Sequence, residues 1–356
     1  MVCSPADFVS RWLLLSLVGA ALFMCATQTL AVPVAVPPYK IRAFPGIPPA
    51  GATQPDDLAV SADGKDLWIG YGNGVDTTGK GGPSNLVEYA ISSGSVLRNL
   101  TIPGHLDGLK INPATNDIWA TENEDGNPTL AVVQHTTRAV NIYRFAPLLL
   151  TGGMDDLAFT LGTPQRDFIV ASSQTDITKP VIVEITGPLM KTNTQLAPFL
   201  GGAPKPVLNV VTNGTELSNQ IGDPDSMTLN PAGELVLDNR SDHSLYIARN
   251  LRAVNPVLRV PLTLDGIPVE VNDTIFTAST FGISSTAGTI FITDTSANKI
   301  YTLTKPYFPS NEVYTAANVV NDVGLVDLNT GVVTPVVTGF KGVHGLAFSP
   351  MVVAIE

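Results

Sequence analysis

Short apolar runs, each introduced by a polar pair and followed by a turn and a second apolar run, recur along this chain. The clearest copy is Asp107-Gly108-Leu109-Lys110-Ile111, then the turn Asn112-Pro113, then Ile118-Trp119-Ala120. The phrase returns as Asp56-Asp57-Leu58-Ala59-Val60 leading to Leu67-Trp68-Ile69, as Asp155-Asp156-Leu157-Ala158-Phe159, and as Asp225-Ser226-Met227-Thr228-Leu229. It returns again as Phe281-Gly282-Ile283-Ser284 and last as His344-Gly345-Leu346-Ala347-Phe348. Runs of this length, apolar almost throughout and bounded by turn formers, read as strands buried on both faces. Six copies spaced 48 to 70 residues apart predict an all-β fold, a six-bladed β-propeller.

The runs behind each anchor fill in the blades. The first has Leu86–Ala90 and Val96–Ile102 about the turn Ser93-Gly94, and the second has Leu130–Gln134 and Val140–Phe145. The third has Phe168–Ser172 and Val181–Ile185, followed by a Pro/Gly-rich stretch from Gly187 to Gly222 that reads as a long surface loop. The fourth has Glu234–Asp238 and Ser244–Ala248. The fifth is assigned Thr289–Thr293 and Lys299–Leu303, an insert around Tyr307–Asn318, then Val323–Leu328 and Val332–Val337. The sixth anchor has only Val352–Ile355 behind it. Its missing outer strand is predicted to come from Tyr39–Phe44, closing the ring with strands from both termini and leaving no open edge.

The first 31 residues stand apart. Arg11 precedes an apolar run from Trp12 to Ala26, and Thr29-Leu30-Ala31 offers small residues for cleavage. This is the pattern of a secretory signal peptide, so the expectation is a leader at 1–31, a single propeller domain at 32–356 and a secreted protein. Both cysteines, Cys3 and Cys25, lie in the leader, so the mature chain carries no thiol and no disulfide. The formal net charge of −11, with no basic run, argues against nucleic acid and anionic membranes as partners. A monomer acting on a small molecule is the expected state. Sequons begin at Asn99, Asn213, Asn239 and Asn272, which would allow a glycoprotein.

Ring closure brings equivalent positions of the anchors together, so Asp56, Asp107, Asp155 and Asp225 should converge on one rim. Two carboxylates about 8 Å apart at an effective dielectric near 20 repel by roughly 2 kcal/mol. Four of them should hold a proton or a cation, and hard oxygen donors favour Ca²⁺ or Mg²⁺, Ca²⁺ first. His105, Asp107 and His344 are the candidate catalytic residues, and Phe281, Asp57 and Asp156 the candidate substrate-binding ones. Which member of each Asp-Asp pair faces the channel is left open. The acidic loops Glu122–Gly126, Asp238–Asp242 and Asp294–Asn298 have two readings, as loops that overhang the channel mouth or, the preferred one, as solvated turns.

The phrase Asp107-Gly108-Leu109, with a turn and an apolar strand behind it, resembles the six-bladed propellers of the regucalcin/gluconolactonase and NHL-repeat groups. That resemblance covers most of the mature chain through its blade pattern. It implies a divalent cation at the channel mouth, held by one Glu, two Asn and one Asp, polarising a lactone or ester carbonyl. The matching positions here are Asp56, Asp107, Asp155, Asp225, Phe281 and His344, which keep an Asp but replace the Glu and both Asn. Three functions follow as expectations: cation-assisted hydrolysis of a lactone or ester, a metal-independent cyclisation or cycloaddition of secondary metabolism, and non-catalytic binding of a ligand or protein. With no nucleophile elbow, zinc-protease helix or phosphate loop in the sequence, other common chemistries have no foothold.

Overall fold

Each polar-apolar phrase becomes the innermost strand of its own sheet. The structure is a computed structural model that describes residues 32–172, 176–218, 220–249, 257–277 and 287–350. The leader 1–31, the anchor at Phe281 and the terminal run Val352–Ile355 lie outside the described residues.

The first sheet runs Pro55–Val60, Asp66–Tyr71, Pro83–Ala90 and Val96–Pro103 from the inside outwards. The second runs Leu106–Ile111, Ile118–Glu122, Thr129–Val133 and Val140–Tyr143, and the third Met154–Phe159, Asp167–Ala171, Pro180–Ile185 and Leu196–Gly201. The fourth begins Pro224–Leu229, Leu235–Asn239, Ser244–Ala248 and Val257–Pro261. Outside Val257–Pro261 it gains a hairpin, Pro206–Asn209 with Gly214–Leu217, whose first strand pairs with it in parallel. The stretch from Gly187 to Gly222 is therefore not one long loop. It supplies an outer strand to the third sheet and this hairpin to the fourth.

The last two sheets depart from the sequence reading. The fifth has Asp273–Phe276 innermost, and that strand pairs with Val313–Ala317. Asp322–Asp327 and Val332–Thr338 follow, with the short pieces Thr263–Leu264, Ile267–Pro268 and Val34–Ala35 at the outer edge. The sixth sheet is Val343–Ser349, Gly288–Asp294, Lys299–Lys305 and Lys40–Ala43. After Phe276 the chain thus makes two strands of the sixth sheet, returns to complete the fifth, and only then lays down the sixth's inner strand. The strands at 289–303 belong to the sixth sheet, and the segment at 307–318, read from sequence as an insert, carries a strand of the fifth. Counted by continuous chain segment, the blades of this all-β propeller number five rather than six, four consecutive ones and one interleaved double unit.

The ring still closes as anticipated at the N-terminus. Lys40–Ala43 pairs antiparallel with Lys299–Lys305, from Lys40 opposite Thr304 to Ala43 opposite Tyr301. Around the channel, neighbouring inner strands contact one another in order, and Val343–Ser349 comes back against Pro55–Val60. Six apolar clusters fill the seams between neighbouring sheets. Leu109, Trp68 and Leu86 pack between the first and second, and Phe44, Leu67 and Phe291 between the sixth and first. Burying large side chains on both faces of every sheet is the main stabilising term. It also fixes the inner strands, and so the side chains they aim at the channel.

Candidate functional site

The polar pairs sit on bulges. Pairing jumps between Pro55 and Leu58, Leu106 and Leu109, Met154 and Leu157, and Pro224 and Met227, so two residues of each inner strand face one of its partner. A similar shift lies between Val343 and Leu346. A bulge re-aims the side chains it carries. Here both members of each pair reach the channel, which resolves the question left open by the sequence. An outer tier comprises Asp56, Asp107, Asp155, Asp225, Asn272 and His344. An inner tier comprises Asp57, Gly108, Asp156, Ser226, Asp273 and Gly345, and all twelve line one cavity. The space open to the centre of a water-sized sphere is about 20 Å³, which suits a water or an ion.

The inner tier alternates an aspartate with a small residue for a reason. Asp57 accepts hydrogen bonds from its neighbour Leu58 N and from Leu109 N of the second sheet, both at 2.7 Å. Asp156 does the same with Leu157 N at 2.7 Å and Met227 N at 2.9 Å, and Asp273 with Leu346 N at 2.6 Å. These three carboxylates cross three alternate seams. The other three seams are crossed by second-strand residues. Thr121 Oγ1 donates to Asp155 O, Thr274 Oγ1 donates to Asp238 Oδ2 at 2.9 Å, and Thr293 Oγ1 donates to Asp56 O at 2.6 Å. Small residues are needed beside the carboxylates, since a Cβ on Gly108 would meet Asp156 Cα at 2.5 Å and one on Gly345 would meet Asp57 Cα at 2.9 Å.

The outer tier is less completely partnered. His344 Nδ1 is paired with Asp56 Oδ1, and Asn272 Nδ2 lies 3.0 Å from the same ring. Asp107 and Asp225 are 8% and 7% exposed, and Oδ2 of each accepts no hydrogen bond from the described residues. Arg240 Nε approaches Asp225 Oδ2 at 3.6 Å and Glu270 Oε1 at 2.8 Å. Above the tier, His105 Nδ1 lies 3.0 Å from the carbonyl oxygen of Val75 and must be its donor. In the neutral ring Nε2 is then the free acceptor, and it lies 3.8 Å from Glu124 Oε1.

Burial dominates the electrostatics. It pushes Asp107 and Asp155 well above the usual carboxylate range, helped by Glu124 for the former and by Asp107 and Asp225 for the latter. Such a pair keeps a proton near neutrality. Burial also lifts Asp225 to about 8 against the pull of Arg240 and His344, and lifts Glu124 to about 7 with Asp56 and Asp125 adding to it. At Asp56 the burial penalty is outweighed by His344 and His105, so its pKa is lowered. At His344 burial works downwards, but Asp56 prevails and raises it to about 9. Near pH 7 the mouth therefore holds an Asp56–His344 ion pair beside a cluster of partly protonated acids.

Of the residues anticipated from sequence, Asp56, Asp57, Asp107, Asp155, Asp156, Asp225 and His344 are brought together, with His105 just above them. Phe281 lies outside the described residues. Its place in the outer tier is taken by Asn272, followed by Asp273. Glu124 lies in a turn and its side chain is 26% exposed, but it overhangs the channel mouth. One oxygen each from Asp107, Glu124 and Asp155 lie within 4.8 Å of one another, and so do ligand atoms of Asp56, His105 and Asp107. Glu122, Asp238 and Asp294 are buried and not solvated turn residues. Of the sequons, Asn239 and Asn272 are buried and hydrogen-bonded, while Asn99 and Asn213 are exposed.

No family model matches the sequence, and no curated protein matches it. Among solved structures, a streptogramin B lyase is 12% identical, with 86% of this chain and 90% of that chain covered at a TM-score of 0.46. Virginiamycin B lyase from Staphylococcus aureus is 10% identical, with 87% and 95% covered at 0.47. A nidogen/laminin complex gives 10% identity, 83% and 85% covered, and 0.49. Between chains so distant in sequence, these likenesses say nothing of activity.

Proposed function

We propose that this is a secreted six-bladed propeller that binds a divalent cation at the acidic mouth of its channel and hydrolyses a lactone or ester of a small organic molecule there. The observation that carries this is the triad Asp107, Glu124 and Asp155, whose ligand oxygens lie within 4.8 Å of one another, together with the buried, unpartnered Oδ2 of Asp107. A buried carboxylate oxygen without a donor is costly unless a proton or cation meets it. The all-oxygen set of Asp107, Glu124 and Asp155 suits Ca²⁺ best, and Asp56, His105 and Asp107 form a second group that shares Asp107 with it. A bound cation would supply Lewis-acid polarisation of a carbonyl oxygen. The six inner strands in cyclic contact support the six-bladed reading.

The chain's own groups have distinct parts in this reading. His105, whose Nδ1 donates to the Val75 carbonyl, keeps Nε2 as a free acceptor that takes a proton from the attacking water. Arg240 at the rim favours the negative charge that develops on the reacting carbonyl. A metal-free second reading rests on one observation, the carboxyl pair Asp107 and Asp155 sharing a proton beside the Asp56–His344 ion pair. Such a pair can donate and withdraw protons in a cyclisation without a cation.

A panel of γ- and δ-lactones and simple esters, followed by acid release with Ca²⁺ or with EDTA, tests the first reading. Turnover that EDTA abolishes and Ca²⁺ restores supports it. Turnover indifferent to EDTA transfers support to the metal-free reading, and binding without turnover to a ligand-binding propeller. Sequencing of the secreted protein should begin at Val32, and a retained Met1 would contradict the leader.

A further inference from the structure

One long side chain interrupts the channel below the inner tier. Two residues further along the six inner strands stand Ala59, Lys110, Ala158, Thr228, Ile275 and Ala347. Five uncharged residues, three of them alanine, leave room for the stem of the single lysine. Lys110 Nζ lies 3.0 Å from Asp57 Oδ2 and 2.8 Å from Asp156 Oδ2. The third inner-tier carboxylate, Asp273, accepts a hydrogen bond from Ser226 Oγ at 2.6 Å. Beyond the lysine the channel widens into an apolar chamber of about 200 Å³ bounded by Phe159, Leu229, Phe276 and Phe348.

We infer that the inner tier is a cation site filled by the chain's own Lys110 ammonium, which also separates the acidic mouth from the apolar chamber. The three aspartates cannot be given up, because each ties an inner strand to the next. Held in so small a ring without a cation, they would repel one another strongly. A tethered ammonium neutralises them permanently, with two direct hydrogen bonds and at no cost in bound ion. Divalent cations are thereby confined to the outer tier. The inference does not depend on what the mouth binds or catalyses.

The site has a predictable occupant once the lysine is shortened. Lys110→Ala removes three methylenes and the ammonium, and leaves a slot with carboxylates at one end and apolar walls at the other. A primary alkylammonium of three carbons, n-propylammonium, replaces those atoms. Melting is followed in EDTA throughout, so that the outer tier contributes nothing. Lys110→Ala should melt roughly 5–10 °C below the parent, because one partner of a buried ion cluster is lost. Propylammonium should raise its Tm with concentration and leave the parent unchanged. Tetramethylammonium, which has no N–H to donate, should leave both unchanged. Equal Tm values for variant and parent, or an equal rise of both with propylammonium, would overturn the inference.

Should Lys110→Ala be recovered unfolded, propylammonium in the refolding buffer should increase the yield of folded protein, and no increase counts against the site. The parent offers an independent check. Native reductive methylation should spare Lys110 while modifying Lys65, whose side chain is 74% exposed. Labelling of both at similar rates would contradict an ammonium held by two carboxylates.

Discussion

Gly108→Ala is the sharpest perturbation of the ring that positions the site. An ideal Cβ at Gly108 would lie 2.5 Å from Asp155 O, 2.5 Å from Asp156 Cα and 2.6 Å from Asp156 Oδ1. Non-bonded carbon contacts sit near 3.5–4.0 Å, so the shortfall is about 1 Å. Two of the three obstacles are backbone atoms of a strand paired within its own sheet, and they cannot swing aside. The second and third sheets must part. Overpacking of this kind costs about 1–3 kcal/mol. Parting the seam also strains the Thr121 hydrogen bond to Asp155 O, worth about 1 kcal/mol. The gain from replacing glycine in a strand offsets roughly 0.5–1 kcal/mol. The net expectation is a loss of about 2–3 kcal/mol in urea denaturation. Gly70→Ala is the control, because its nearest neighbour would be Leu106 Cβ at 3.7 Å, and it should be neutral or slightly stabilising. A Gly108→Ala protein within the error of the parent would refute the close approach of these strands.

Other outcomes follow from the same structure. In EDTA the Tm should fall as pH rises from about 5 to 9. Glu124 and Asp225, raised to about 7 and about 8, stabilise the fold fully below the ordinary carboxylate range and lose that contribution as pH passes through their folded values. His344, raised to about 9, acts in the same direction from its ordinary pKa upwards; a Tm that climbs over this range would contradict the buried acid cluster. Lys305 lies against Tyr39, Phe308 and Tyr314 and is paired with Glu312. Lys305→Met should cost about 3 kcal/mol and speed tryptic cleavage after Lys40 and Arg42, whereas unchanged cleavage would show that this cluster does not hold the N-terminal strand.

Much of the fold was legible because the inner strands of a propeller are buried on both faces. Asp56, Asp107, Asp155, Asp225 and His344 each lie at the start of a strand where the apolar pattern placed one, and Lys40–Ala43 meets the sixth sheet as ring closure requires. The fifth blade was misread for a topological reason. Its inner strand, Asp273-Thr274-Ile275-Phe276, is followed in the chain by strands of another sheet, so the local sequence of strand, turn and partner strand is missing there. A Phe-Gly-Ile phrase a few residues later imitated the pattern better. The alternation of the inner tier was visible as Asp-Asp, Asp-Gly, Asp-Asp, Asp-Ser and His-Gly, but its meaning lies in seams between strands about 50 to 70 residues apart. Glu124 was hidden by its surroundings, since a run of acidic and amide residues after a strand looks like a solvated turn. Its approach to Asp107 and Asp155 comes from the packing of neighbouring sheets, which local sequence does not encode.

The central claim is a cation held by Asp107, Glu124 and Asp155, and titration calorimetry of Ca²⁺ into EDTA-stripped, dialysed protein measures it most directly. The account predicts saturable binding with one site per chain and release of protons from the raised acids, larger at pH 6 than at pH 8. Asp107→Asn, which leaves the seam hydrogen bonds in place, should abolish that binding while retaining the parent's circular dichroism. Absence of saturable Ca²⁺ binding to the parent, or an isotherm unchanged by Asp107→Asn, would contradict it.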